Sequence, residues 1–138
     1  MPRKYDLIII AIGSFQLIHD QTDAQQVLNN LSNALLPGGK LILETYIPWD
    51  VIKNNIDGSI LSDQSKEITV ERVAHSPNGF KIINQSKVTA DFKKQLEVSH
   101  TRYEKWDGKL ISAEEEQYTV RWYHRYEMEL FLQKAGLR

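Results

Sequence analysis

The sequence has no cysteine among its 138 residues. That excludes a disulfide framework, thiolate zinc ligands and a cysteine nucleophile, and it fits a reducing, cytoplasmic location. Charge of one sign is also lacking: 17 Lys and Arg face 18 Asp and Glu, for a formal net charge of −1. Nucleic-acid-binding chains carry a basic stripe and a high pI, so no nucleic-acid partner is expected. Long apolar runs are missing too. The longest, Leu7 to Ile12, has six residues, against roughly 20 for a membrane-spanning helix, so no membrane partner is expected. The run follows Arg3 and Lys4 but falls short of the ~7 apolar residues of a secretory signal, and a buried strand is the better reading. The four histidines (19, 75, 100 and 124) are widely spaced without a carboxylate-flanked pattern, so no metal site is expected. Neither a glycine-rich phosphate loop nor a G-x-S-x-G elbow occurs.

What remains is an ordinary globular composition, 41% hydrophobic and 25% charged, long enough for one domain with a real core. The fold class is α/β. Residues 1–48 read as strand, helix, strand. Leu7 to Ile12 is rich in β-branched residues without polar alternation, the pattern of a parallel strand covered on both faces. Thr22 with Gln25 three positions later predicts a capping box. Ala24, Val27, Leu28, Leu31 and Leu35 share one helical face, and Pro37-Gly38-Gly39 is expected to stop the helix. A second strand starts at Leu41 and is expected to reach Ile47. Two parallel strands joined by a helix form a βαβ unit.

Residues 49–65 read as a connecting loop with a short helix at most and a turn at Asp57-Gly58. From 66 to 138 the period becomes two, predicting an antiparallel meander of three or four strands with turns at Ser76-Pro77-Asn78-Gly79 and Asp107-Gly108. Trp122 is expected on the inner face of that meander. A closing helix with Met128, Phe131, Leu132 and Ala135 on one face stops at Gly136. The meander and closing helix are expected to form one compact unit with the first block.

The segments Tyr5-Asp6-Leu7-Ile8, Gly13-Ser14-Phe15-Gln16 and Leu36-Pro37-Gly38-Gly39-Lys40-Leu41 resemble the fourth-strand to fifth-strand stretch of class I S-adenosylmethionine-dependent methyltransferases. Arg121-Trp122-Tyr123, Glu129-Leu130 and Ala135-Gly136-Leu137 are similar to the end of the β-meander inserted in a small-molecule branch of that family. The resemblance implies a partial Rossmann-like sheet with an appended meander. It also implies what is missing: no Gly-rich G-x-G-x-G turn and no acidic residue for the ribose are found, so the chain resembles a C-terminal portion.

By the same resemblance the cofactor is S-adenosylmethionine, and Ile12, Gly13, Ser14, Phe15 and Gln16 would face its methionine part, Phe15 and Gln16 nearest the reacting centre. Tyr46, Trp49, Arg121, Tyr123 and His124 are the candidates for contact with a small-molecule acceptor. No catalytic residue is singled out, because methyl transfer from a sulfonium rests largely on in-line positioning. The expected activity of the parent protein is methyl transfer to a small molecule, with this portion inactive alone and prone to form homo-oligomers through exposed sheet edges. The alternative is a non-catalytic binding or oligomerisation module derived from a methyltransferase.

Overall fold

The computed structural model describes residues 3–53 and 67–138. They divide into two compact units: Met1–Ile47 with Val120–Arg138, and Pro48–Thr119. Strand β1 (Tyr5–Ile10) pairs in parallel with β2 (Leu35–Leu43), and helix α1 (Gln21–Ala34) is the crossover. Ile8, Ile9 and Ile10 stand opposite Leu41, Ile42 and Leu43, so the pleat puts Ile10, Leu41 and Leu43 on one face. That face meets α1. The core consists of Phe15, Ala24, Leu28, Tyr123 and Met128, with Ile10, Val27, Leu31, Leu41 and Leu43 packed against it.

The opposite face differs from the sequence expectation. Leu7, Ile9 and Ile42 are 47%, 59% and 52% exposed, so β1 is covered on the α1 face and left about half open on the other. The apolar run predicts two-sided burial because a strand's composition records the faces it is built to cover, whatever lies against them in a given chain.

The start of α1 is also set differently. Asp20, not Thr22, is the N-cap: its Oδ1 accepts from the backbone N–H groups of Thr22 at 2.7 Å and Asp23 at 3.0 Å. A carboxylate adds charge to the cap and complements the positive end of the helix dipole, which a threonine hydroxyl does not. The N–H groups of Asp23 and Thr22 hold the Asp20 carboxyl below its usual range. A depressed folded-state value means that the stabilisation is present above the unfolded carboxylate pKa of about 3.9 and is lost as pH falls through the folded value. In Asp20→Asn, which keeps a neutral cap, melting temperature is expected to fall less between pH 6 and pH 3 (about half the pH range of acid loss) than in the wild type.

Helix α1 ends at Ala34, three residues before Pro37, and Leu35 is already extended. Pro37-Gly38-Gly39 therefore does not stop the helix. It forms a wide bulge at the start of β2, since Tyr5 pairs with Leu35 and Leu7 with Lys40, leaving Asp6 opposite residues 36–39. The bulge tolerates a proline that has no N–H to give to the ladder. Gly39 is where backbones meet: a Cβ there would lie 2.9 Å from the Leu36 carbonyl oxygen, 3.0 Å from that of Tyr5 and 3.2 Å from that of Asp6. Gly39→Ala is expected to cost about 1–3 kcal/mol, read by urea denaturation, because those contacts are with backbone that cannot swing aside.

Helix α3 (Arg125–Lys134) packs within the same unit as α1, with Met128 in the core and Phe131, Leu132 and Ala135 against it. It terminates at Gly136, where φ is +78° and Leu137 N–H reaches back to the Leu132 carbonyl at 2.9 Å, a left-handed C-terminal turn that favours glycine. Val120 to Arg138 thus clusters with the βαβ block, whereas the sequence pattern had joined it to the meander. Trp122 lies past the end of the last strand, clusters with this first unit and is buried.

The second unit contains a short helix, α2 (Trp49–Lys53), and four strands: β3 (Ile68–His75), β4 (Lys81–Asp91), β5 (Leu96–Asp107) and β6 (Lys109–Arg121), whose last two residues cluster with the first unit. They lie in the order β3-β4-β5-β6, with β3/β4 and β4/β5 antiparallel. The Ser76 turn closes as its pattern predicts, with Ser76 N–H bonded to the Phe80 carbonyl at 2.8 Å and Phe80 N–H to Ser76 Oγ at 3.1 Å. The Asp57-Gly58 turn signal lies outside the described residues.

Candidate functional site

In an open α/β sheet, ligands bind beyond the carboxyl ends of the parallel strands. Here that edge consists of the segments after Ile10 and after Leu43. Glu44 N–H extends the ladder by one bond, to the Ile10 carbonyl at 2.9 Å. The Glu44 carboxylate then turns across the edge and accepts from Ile12 N–H at 2.8 Å. Ile12 has φ +57° and is 88% exposed. A β-branched residue in the left-handed region is a genuine outlier, costing about 1–2 kcal/mol, and such strain persists where the surroundings impose it. Gly13, at φ +64°, is buried, and a Cβ on it would meet Gln16 Oε1 at 3.1 Å and the Tyr46 ring at 3.3 Å. Two successive left-handed residues swing the chain sharply off β1 into the 3-10 turn Ser14–Leu17.

The five residues expected to face the cofactor divide on this turn. Ile12 and Ser14 stay at the solvent side, with Ser14 Oγ bonded to the Ala11 carbonyl at 2.7 Å. Phe15 turns inward to the core, its ring 5.6 Å from that of Tyr123. Gln16 is fully buried. Its Oε1 accepts from Tyr46 N–H at 2.8 Å, and its Nε2 donates to the carbonyls of Tyr46 at 2.9 Å and Arg121 at 3.0 Å. Both amide hydrogens are committed to the backbone, so Gln16 holds the edge together instead of reaching a ligand.

Among the acceptor-side candidates, Gln16 thus draws Tyr46 and Arg121 to one place. Arg121 is buried, sits over the Tyr123 ring at 5.4 Å and lies 3.4 Å from Glu127. Tyr123 is a core residue whose hydroxyl donates to the Ile18 carbonyl at 3.3 Å. Burial pushes its pKa up, opposed by the Arg121 charge. His124 is the N-cap of α3, and its backbone N–H donates to the Glu127 carboxylate at 3.3 Å. Trp49 is exposed on α2 in the other unit. Among the acceptor-side candidates of the first unit, Tyr46, at 42%, and His124 are exposed.

Glu44 was missed in the sequence. Its signal was there: a single acid closing the apolar run Leu41-Ile42-Leu43, at the end of a strand where α/β sheets present their ligand-binding edge. A separate groove of about 570 Å³ lies on the meander, lined by Lys87, His100, Arg102 and Glu115 among others. Its two cations are paired, Lys87 with Glu67 at 3.3 Å and Arg102 with Glu115 at 2.6 Å, and no sequence candidate lines it. Among the described residues no cluster of His, Asp and Glu could hold a metal ion, and no helix is long and apolar enough to cross a membrane.

No protein-family model and no curated protein matches the chain by sequence. Solved structures do match it. A methyltransferase from Clostridium acetobutylicum is 18% identical, with a TM-score of 0.69 over 98% of this chain and 48% of its own. An amino pentose methyltransferase from Micromonospora echinaspora, solved with S-adenosylmethionine bound, is 16% identical, with a TM-score of 0.73 over 99% of this chain and 51% of its own. A sugar N-methyltransferase from a Streptoalloteichus species is 15% identical, with a TM-score of 0.71 over 97% and 48%. The chain has the fold of half a methyltransferase. It spans about half the length of each of these proteins while almost all of it superposes.

Of the residues that the resemblance sets against S-adenosylmethionine, only some are open to a ligand. Ile12 and Ser14 at the carboxyl edge suit the methionine side, with an exposed apolar side chain and an exposed hydroxyl. Phe15 and Gln16 do not, one being in the core and the other consumed by backbone bonds. The sequence carries no glycine-rich turn for the adenosine side.

Proposed function

We propose that this chain is the acceptor-side portion of an S-adenosylmethionine-dependent methyltransferase, with the βαβ unit forming part of a Rossmann-like sheet. The observation that carries the reading is the parallel β1–α1–β2 unit with a strained, buttressed turn at its carboxyl edge. Support comes from the superposition of nearly the whole chain on half of several methyltransferases. When bound, S-adenosylmethionine supplies an electrophilic methyl group on a sulfonium. The chain's own part is to hold Ile12 and Ser14 at the edge, to fix that edge through Gln16, and to present Tyr46 on the acceptor side.

The acceptor is a small molecule, and the names of two neighbours, an amino pentose methyltransferase and a sugar N-methyltransferase, support an amine borne on a sugar. Alone, the chain is inactive, because the groups that would hold the adenosine are not in it. Its open β1–β2 edges and the half-exposed Leu7, Ile9 and Ile42 are the surface through which isolated copies associate. Light scattering is expected to give a dimer or larger species; a monomer mass contradicts that part. Calorimetric titration of the chain with S-adenosylmethionine tests the rest: no micromolar binding is expected, and one-to-one micromolar binding overturns the account of a half-pocket.

A further inference from the structure

We infer that the Glu44 carboxylate, held by the Ile12 N–H, is the group that receives the acceptor's amine. This deepens the functional reading above and rests on it for the identity of the edge. Three observations converge within one unit of the structure. Glu44 follows directly on β2, at the edge where such sheets bind ligands. It is exposed, so the charge carries no burial penalty when no ligand is present. Its carboxylate is not loose: Oε2 is tied at 2.8 Å to the N–H of Ile12, a residue held at φ +57°.

The chemistry asks for a negative charge at this place. The lone pair of a neutral amine forms the new N–C bond as the methyl group leaves, and the C–S bonding pair stays on the departing thioether sulfur. The positive charge therefore moves from sulfur to nitrogen, which becomes an ammonium and keeps its own proton until the product meets solvent. A carboxylate beside the nitrogen stabilises the state in which the charge has arrived, and that is the interaction which favours the transition state over the starting complex. Ile12, whose N–H holds that carboxylate, is 88% exposed and offers an apolar side chain to a ligand at this edge. A ligand lying there would shield the Glu44–amine pair from water and strengthen it.

The test uses the chain as it is. Because Ile12 N–H donates to Glu44, the Ile12 amide resonance reports on that carboxylate. Titration with millimolar glucosamine, in ¹⁵N-labelled protein followed by NMR, is expected to shift the Ile12 and Glu44 amides. Glucose, which lacks the amine, is expected to leave them in place. Glu44→Gln keeps an oxygen acceptor for Ile12 N–H but loses the charge, so its melting temperature should stay close to that of the wild type while its affinity for glucosamine falls roughly tenfold or more. Gln95→Gly relieves a left-handed residue of φ +56° in the β4–β5 turn and should leave the titration unchanged. Equal shifts with glucose, full binding by Glu44→Gln, or no shift at Ile12 with glucosamine each overturn the assignment. None of these readouts involves S-adenosylmethionine, so failure here and failure of the methyltransferase reading are separate results.

Discussion

Replacing Gln16 with leucine is expected to remove about 3–5 kcal/mol of stability in urea denaturation, a large part of what a domain of this size has. Leucine fills the volume but offers no polar atom. It leaves Tyr46 N–H, the Tyr46 carbonyl and the Arg121 carbonyl without the side chain that now satisfies all three. Losing the partner of a buried or half-buried backbone group costs roughly 1–3 kcal/mol. The cost should also be felt beyond the mutated turn, because one amide joins the segment after β1, the segment after β2 and the end of β6. Amide exchange at Tyr46 should therefore accelerate in Gln16→Leu together with that of the 3-10 turn. A loss under about 1 kcal/mol would mean that those backbone groups find other partners and that Gln16 is free to act elsewhere.

Phe15→Ala is expected to cost about 3–5 kcal/mol, the range for truncating a buried aromatic. Phe15 is 2% exposed and belongs to the cluster of Ala24, Leu28, Tyr123 and Met128. The substitution opens a cavity beneath α1 and removes the tilted contact with Tyr123 at 5.6 Å. It discriminates sharply between a core role for Phe15 and the cofactor-facing role that the resemblance implies. A residue lining a ligand site can be shortened with little loss of stability, whereas a core residue cannot. A melting temperature within a degree or two of the wild type would return Phe15 to the ligand side.

The sequence was most informative where composition and period point the same way. The parallel strands, the crossover helix and the face bearing Met128, Phe131 and Leu132 all follow from apolar spacing, and the turns at Ser76 and Asp107 from residues that tolerate unusual backbone angles. It was least informative where a tertiary contact decides. Asp20 rather than Thr22 caps α1 because the helix begins two residues earlier, where the Asp20 carboxylate reaches the Thr22 and Asp23 N–H groups, a choice the pattern of letters leaves open. The turn between β4 and β5 has no glycine or proline to announce it; it is closed in part by Asp91 Oδ1 accepting from Lys94 N–H at 2.8 Å and by a left-handed Gln95. The bulge at Pro37-Gly38-Gly39 resembles a helix stop because the same residues serve both purposes.

The site shows the same division. The loop Ile12 to Gln16 could be placed at the sheet's carboxyl edge from sequence, since strand order alone dictates that. Which side chains face out could not be, because two consecutive left-handed residues, one of them an isoleucine, reverse the alternation that a strand would have continued. Glu44 could be placed at the edge by its position after the apolar run, but its partner, a backbone N–H 32 residues away, could not be read from the sequence.

Methyl transfer itself tests the account most directly. The chain would be joined to a polypeptide supplying the glycine-rich strand–turn–helix, then given S-adenosylmethionine labelled on its methyl group together with an amino sugar. Label appearing on the sugar nitrogen, and greatly reduced in Glu44→Gln, is the result predicted. Donor that binds the joined protein while no label reaches the amine would contradict it.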